Sequence, residues 1–412
     1  MKKQLLTAVI TLMAAAVFAQ ENQFSIDAQL RTRGEHNNGA IVERAEGQQA
    51  ANFINERARL SFDFKRENLE VKASIQHTGV WGQDDIKQPN GRATMNEAWA
   101  KMTFGDVFFA QLGRQQLSYD DERILGTLDW NVNGNWHDAL KLGYEDADHK
   151  VHVILSMNQS AENNRGDYYN GPMPYKNMEA LWYHYQMPSL PLGVSVLAMN
   201  LGLEIGSSGH GRTNYLQTVG TDITFKPEGW NIHGAFYYQL GKDFYSRNVS
   251  AWMASGKAEY SIMPQLAVNA GYDILSGNGT DFNKYNAFNA LYGTHHKFYG
   301  TMDYFPGTLS YGLHDIQAGV SSKIFNAVNL QLAYHYFMTV KQIGQYSRDL
   351  GHEIDFQLSA RLMKDVTLMA GYSTFLGTDT FDRIKLGDHT QWQDWAWIQL
   401  NIAPRVLFTK WK

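Results

Sequence analysis

The chain has 412 residues, a formal net charge of -5, no cysteine, 36 glycines, only 9 prolines and 13% aromatic residues. These counts exclude collagen, disulfide scaffolds and disordered tails, and with them thiol nucleophiles and thiolate metal sites. The small negative charge gives no global field for nucleic acid, so any basic site is local.

Taken in chain order, the first predicted element is a secretory leader. Met1, Lys2 and Lys3 supply the positive zone, Leu5 to Phe18 the apolar zone and Ala19 the small residue before cleavage. The apolar stretch is shorter than the ~20 residues that span a bilayer, and polar Gln20 to Gln23 follow at once. The expected division is therefore a signal peptide over 1–19 and a single domain over 20–412.

Strands come next. Ser25, Asp27, Gln29 and Arg31 interleave with Phe24, Ile26, Ala28 and Leu30, and Arg57, Arg59, Ser61 and Asp63 with Ala58, Leu60, Phe62 and Phe64. A helix would scramble these faces, whereas a strand keeps each on one side. The pattern is clearest where Glu353, Asp355, Gln357, Ser359 and Arg361 alternate with Ile354, Phe356, Leu358, Ala360 and Leu362. It closes the chain where Trp395, Trp397, Gln399 and Asn401 alternate with Ala396, Ile398, Leu400 and Ile402. Between strands, short links such as 65–68, 105–106 and 364–365 take turns with long polar ones near 34–51, 79–95, 119–136, 159–176, 203–213, 241–249, 276–309, 341–350 and 376–391.

An even number of strands, about eighteen, with short turns at one end and long loops at the other, predicts an all-β transmembrane antiparallel barrel of a Gram-negative outer membrane. Its turns are periplasmic and its long loops extracellular. Lipid offers no hydrogen bonds, so such a sheet must close on itself, which lets a sequence without long apolar runs be embedded. Trp81, Trp99, Tyr144, Trp182, Trp230, Tyr272 and Trp392 suit interfacial girdles, although Trp99, like Trp395 and Trp397, has the polar parity and is expected in the lumen.

By the same parity Arg31, Arg57, Arg59, Lys72, Lys101, Lys141 and Arg361 face the lumen with Asp27, Asp63, Glu70, Glu97, Glu353 and Asp355. They line a solute path or form a salt-bridge ladder within the wall. Strict alternation sends Arg114 towards lipid with Phe108, Ala110 and Leu112, so a lumenal Arg114 requires a bulge near Gly113 or a position above the membrane. Loop 276–309, the longest, is expected to fold inward as a constriction. Asp120, Asp121 and Glu122 read as a solvated acidic tip. His295 and His296, on opposite sides of an extended chain, do not suit a shared metal.

The run from Gly113-Arg114-Gln115 through Glu122-Arg123-Ile124-Leu125 and Asp129-Trp130 to His137-Asp138 resembles the alginate export family of outer-membrane porins. His296-Lys297-Phe298-Tyr299-Gly300 with Asp303 is similar to a later motif of that family, and Leu350 to Phe356 with Gly371-Tyr372-Ser373 to its last strands. The resemblance implies a barrel with a charged, Arg-containing lumen that passes an acidic polysaccharide outward. It adds Arg114, Arg123, Asp129, Asp138 and Lys297 to the candidate path. Asn135, Trp136 and His137 depart from the family's arginine and phenylalanine before Asp138, which bears on alginate itself rather than on a selective anion or sugar channel.

Expected partners are outer-membrane lipid and lipopolysaccharide, a charged or sugar-like solute and periplasmic export machinery, with no nucleic acid and no cofactor. No nucleophile elbow, zinc-binding helix motif or phosphate loop appears, so the reading is a channel and not an enzyme. A general diffusion porin, a non-conducting adhesin and a barrel enzyme are the competing readings.

Overall fold

The computed structural model describes residues 21–87, 93–162, 164–307, 309–325 and 327–412; the leader expected over 1–19 lies outside them. The strands are β1 (Asn22–Asn38), β2 (Ala51–Arg66), β3 (Leu69–Val80), β4 (Ala93–Phe104), β5 (Phe108–Gln115), β6 (His137–Glu145), β7 (His149–Met157), β8 (Asn177–Gln186) and β9 (Leu192–Ile205). They continue as β10 (Arg212–Phe225), β11 (Trp230–Lys242), β12 (Asn248–Met263), β13 (Leu266–Leu275), β14 (Leu313–Ile324), β15 (Val328–Met338), β16 (Asp349–Met363) and β17 (Val366–Gly377). A short helix, α1 (Asp379–Lys385), precedes the last strand, β18, which runs over Gln393–Ile402 and resumes at Arg405–Trp411.

Each strand pairs antiparallel with the next, and β18 returns to β1, giving the closed eighteen-stranded barrel that the alternation predicts. β1 takes the two halves of β18 in succession, Leu30 to Asn38 against Ile402 to Asp394 and Asn22 to Asp27 against Trp411 to Arg405. The break falls at Pro404, which has no N–H to give the ladder. Its carbonyl still accepts from Ala28 N–H at 3.0 Å, and the register shifts by a bulge between Ile26 and Asp27.

The outer face is apolar, with Leu60, Leu112, Phe356 and Ile398 exposed on it, as a lipid-facing wall requires. The alternate residues point inward, where register sets Arg31 opposite Arg57 and Gln29 opposite Arg59. What parity does not anticipate is a second, apolar core inside the barrel. Leu117, Ile124 and Leu125 of loop 116–136 pack there with Phe288, Tyr299, Met302, Tyr304 and Phe305 of loop 276–312, against Phe337, Phe375 and Phe381. The long loops therefore fill part of the hollow that the strands enclose.

Candidate functional site

Two loops narrow the lumen. Loop 116–136, between β5 and β6, and loop 276–312, between β13 and β14, meet as a short parallel bridge at Leu125 and Tyr292. Gly126 N–H donates to Tyr292 O at 3.0 Å, Tyr292 N–H to Ile124 O at 3.0 Å and Thr294 N–H to Glu122 O at 2.9 Å. The approach depends on Gly293, since a Cβ there would sit 2.3 Å from the carbonyl oxygen of Arg123. The inward fold expected of the longest loop is thus present, and it has a partner that sequence reading took for an exposed tip.

The charged wall holds these loops. Arg31 donates from Nη1 to Asp129 O at 2.6 Å and from Nη2 to Asn131 O at 3.0 Å, and Arg33 Nη1 reaches Trp130 O at 3.0 Å. Arg57, fully buried, donates from Nη2 to Asp129 Oδ1 at 2.8 Å and from Nε to Gln29 at 3.1 Å. The Trp130 ring is clamped between the Arg33 guanidinium, 3.9 Å from its centroid, and the stacked His296 ring at 4.2 Å, with Trp397 edge-on at 4.8 Å. On the opposite wall Arg123 is buried between Asp121 at 2.6 Å and Asp273 at 2.9 Å, with Ser255 and Tyr299 as further acceptors. Burial by itself favours the neutral form, but Asp273, Tyr299 and Asp121 outweigh it and the net direction is upward.

The remaining candidates fall into three groups. Lys297 donates to Asp121 O at 3.0 Å and lies 3.8 Å from Glu122, while Glu97 pairs with Lys72 at 2.8 Å. Glu353 and Asp355 receive the second loop, accepting from Met302 N–H at 2.8 Å and from the Thr301 hydroxyl, and only glycine fits at position 300, where a Cβ would lie 2.5 Å from the Glu353 carboxylate. Asp63 faces Lys72 across the ladder, and Arg361 is exposed towards the periplasmic end of β16.

A second group lies beside neutral partners. Arg59 is held by the amide oxygen of Gln76, at 2.6 Å and 3.0 Å. Lys101 and Lys141 flank the Phe109 ring at 4.2 Å and 5.9 Å. A cavity of about 410 Å³ has Trp130, Lys257, Lys297 and Asp355 among its lining.

The third group corrects the sequence reading. Arg114 does not enter the lumen: β4, β5 and β6 pair without a register shift, Ala98 opposite Arg114 and Arg114 opposite Asp138. The two side chains form a bidentate pair, 2.9 Å in both bonds, on the outward parity beside Leu112, at the loop end of the wall. Asp138 leaves the lumenal set with it. Asp120, Asp121 and Glu122 are no solvated tip; Asp120 accepts from Trp182 Nε1 at 3.1 Å, and Glu122 from Ser118 at 2.8 Å. Trp182 is buried on the inner face rather than in a girdle, whereas Trp81, Trp230, Tyr272 and Trp392 are exposed. Sequence reading missed the Trp130 clamp and Arg33, although Arg33 shares the parity of Arg31.

The family model described as alginate export matches residues 22–385. No curated protein matches the sequence. Among solved structures, OccK5 (OpdH) of Pseudomonas aeruginosa aligns over 94% of this chain and 98% of its own with a TM-score of 0.63 and 10% identity. OccAB1 of Acinetobacter baumannii aligns over 94% and 97% at 0.63 and 11% identity. OpdK of Pseudomonas aeruginosa, solved with vanillate, aligns over 94% and 99% at 0.61 and 8% identity. At such identities the likeness concerns the fold, an outer-membrane barrel.

Proposed function

The chain belongs to the alginate export family, which makes it an outer-membrane channel rather than an enzyme, and from that premise we propose that it passes an acidic polysaccharide or a similar charged, sugar-like solute. The observation that carries this reading is the group of lumenal cations with neutral partners. Arg33, Lys72 and Arg123 are each opposed by a carboxylate within 3 Å, so they contribute structure more than field. Arg59 on Gln76 and Lys101 and Lys141 on Phe109 keep a net positive charge facing the path. A chain of carboxylated sugars would meet guanidinium and ammonium groups at several weak sites and move between them instead of binding once.

In this reading the exported form is the single barrel over 20–412 after loss of the leader at Ala19, seated among lipid and lipopolysaccharide and supplied by periplasmic export machinery. The test is current block in planar bilayers. Oligouronates added on the periplasmic side reduce the current at concentrations where neutral oligosaccharides of equal length do not. Replacing Arg59, Lys101 and Lys141 together by Gln weakens that block several-fold. Equal block by neutral and acidic sugars would contradict the proposal and favour a general diffusion pore.

A further inference from the structure

At the extracellular rim, on the two loops that flank the β18–β1 closure, four groups converge. Asp379 and Asp382 lie three residues apart on α1, and His389 follows in the same loop. One ligand atom from each lies within 4.8 Å of the others, with His389 Nδ1 at 2.6 Å from Asp382 and 3.8 Å from Asp379. The fourth group comes from loop 39–50. Glu43 is 2% exposed, accepts from Gly387 N–H through Oε2 at 3.1 Å and sets its carboxyl against that of Asp382. Its other oxygen, Oε1, is buried with no hydrogen-bond donor.

The local fold is shaped around this side chain, because a Cβ on Gly387 would meet Glu43 Cγ at 2.4 Å. Among the described residues no Lys or Arg lies within ion-pair distance of any of the three carboxylates, and Lys385 turns its ammonium to the Tyr304 carbonyl instead. Three carboxylates gathered about one imidazole, with no Lys or Arg among them, are a donor set for an ion. A tetrahedral ion with bonds of about 2.0–2.1 Å holds its ligand atoms roughly 3.3 Å apart, between the two His389 separations. The imidazole selects a transition cation over calcium, whose ligands are oxygen only.

We propose that Asp379, Asp382 and His389 bind a divalent transition cation of the Zn²⁺ type, with Glu43 set against Asp382 behind them, so that the site ties loop 378–392 to loop 39–50 across the barrel seam. Asp379 is the most exposed of the four and its replacement disturbs little else, which makes Asp379→Asn the informative variant. The full chain, purified in detergent without a polyhistidine tag and stripped with chelator, is titrated calorimetrically with ZnCl₂ and with CaCl₂. One saturable zinc site, calcium binding at least about tenfold weaker, and a higher unfolding temperature with zinc are expected. Asp379→Asn and His389→Ala each weaken zinc by about tenfold or more, with the metal-free unfolding temperature of Asp379→Asn unchanged. Absence of saturable zinc binding, equal affinity for calcium, or wild-type affinity in Asp379→Asn would overturn the proposal. None of these outcomes bears on solute passage through the lumen.

Discussion

At the scale of single residues, the lumenal charges divide by what opposes them. Arg57 is buried and its guanidinium joins β2 to Asp129 of the inward loop, so Arg57→Gln removes a charge-assisted bond. It is expected to lower stability by about 2 kcal/mol, measured by urea unfolding in detergent. Asp120 is expected to contribute to the pH dependence. Burial pushes its carboxyl up to about 6, so the native chain takes up this proton more readily than the unfolded chain. The contribution of that protonation to stability is present in acid and is lost as pH rises through about 6. For the lumen the same titration removes a negative charge on acidification. Anion preference therefore rises between pH 7.5 and pH 5, and Asp120→Asn flattens part of that rise; an identical pH profile in the variant would discard Asp120 as its source. That Asp120 is buried was not legible in the sequence, because three consecutive acids followed by Arg look the same on a solvated tip. Contacts distant in sequence, such as that with Trp182, 62 positions away, distinguish the two.

At the scale of elements, strands were readable and inward loops only half so. A strand declares itself locally, since alternation over Glu353 to Leu362 or Ser25 to Arg31 assigns both faces without knowledge of the partner. The same alternation was right about Arg114, whose side chain follows the outward parity beside Leu112, and the bulge invoked to bring it inside is absent. The short helix α1 lay within a link read as polar loop, since seven residues are too few to show a helical period. The junction of loops 116–136 and 276–312 joins residues more than 150 positions apart and has no local signal except its glycines. Gly293 gives the test. In Gly293→Val the side chain cannot share space with the Arg123 carbonyl, so the bridge at Leu125 and Tyr292 opens. Single-channel conductance is expected to rise while the far-ultraviolet strand spectrum is retained. Unaltered conductance would show that the junction does not set the width.

At the scale of the whole molecule, one wall serves two solvents. Closure satisfies every strand edge without water, the apolar parity meets lipid, and the polar parity encloses a lumen whose upper part is packed by its own loops. The composition, acidic overall, gave no guide to the sign of that lumen, because carboxylates such as Asp129, Asp121 and Asp273 are matched to arginines of the wall and the inward loops. On the proposed function, selectivity rests on the few cations without an acidic partner. The most direct measurement is the reversal potential of the purified chain in planar bilayers across a tenfold KCl gradient. The account predicts a potential of the sign for chloride preference, shifted towards zero when Arg59, Lys101 and Lys141 are replaced together by Gln. A cation-preferring wild type, or a triple variant with the same potential as wild type, would contradict it.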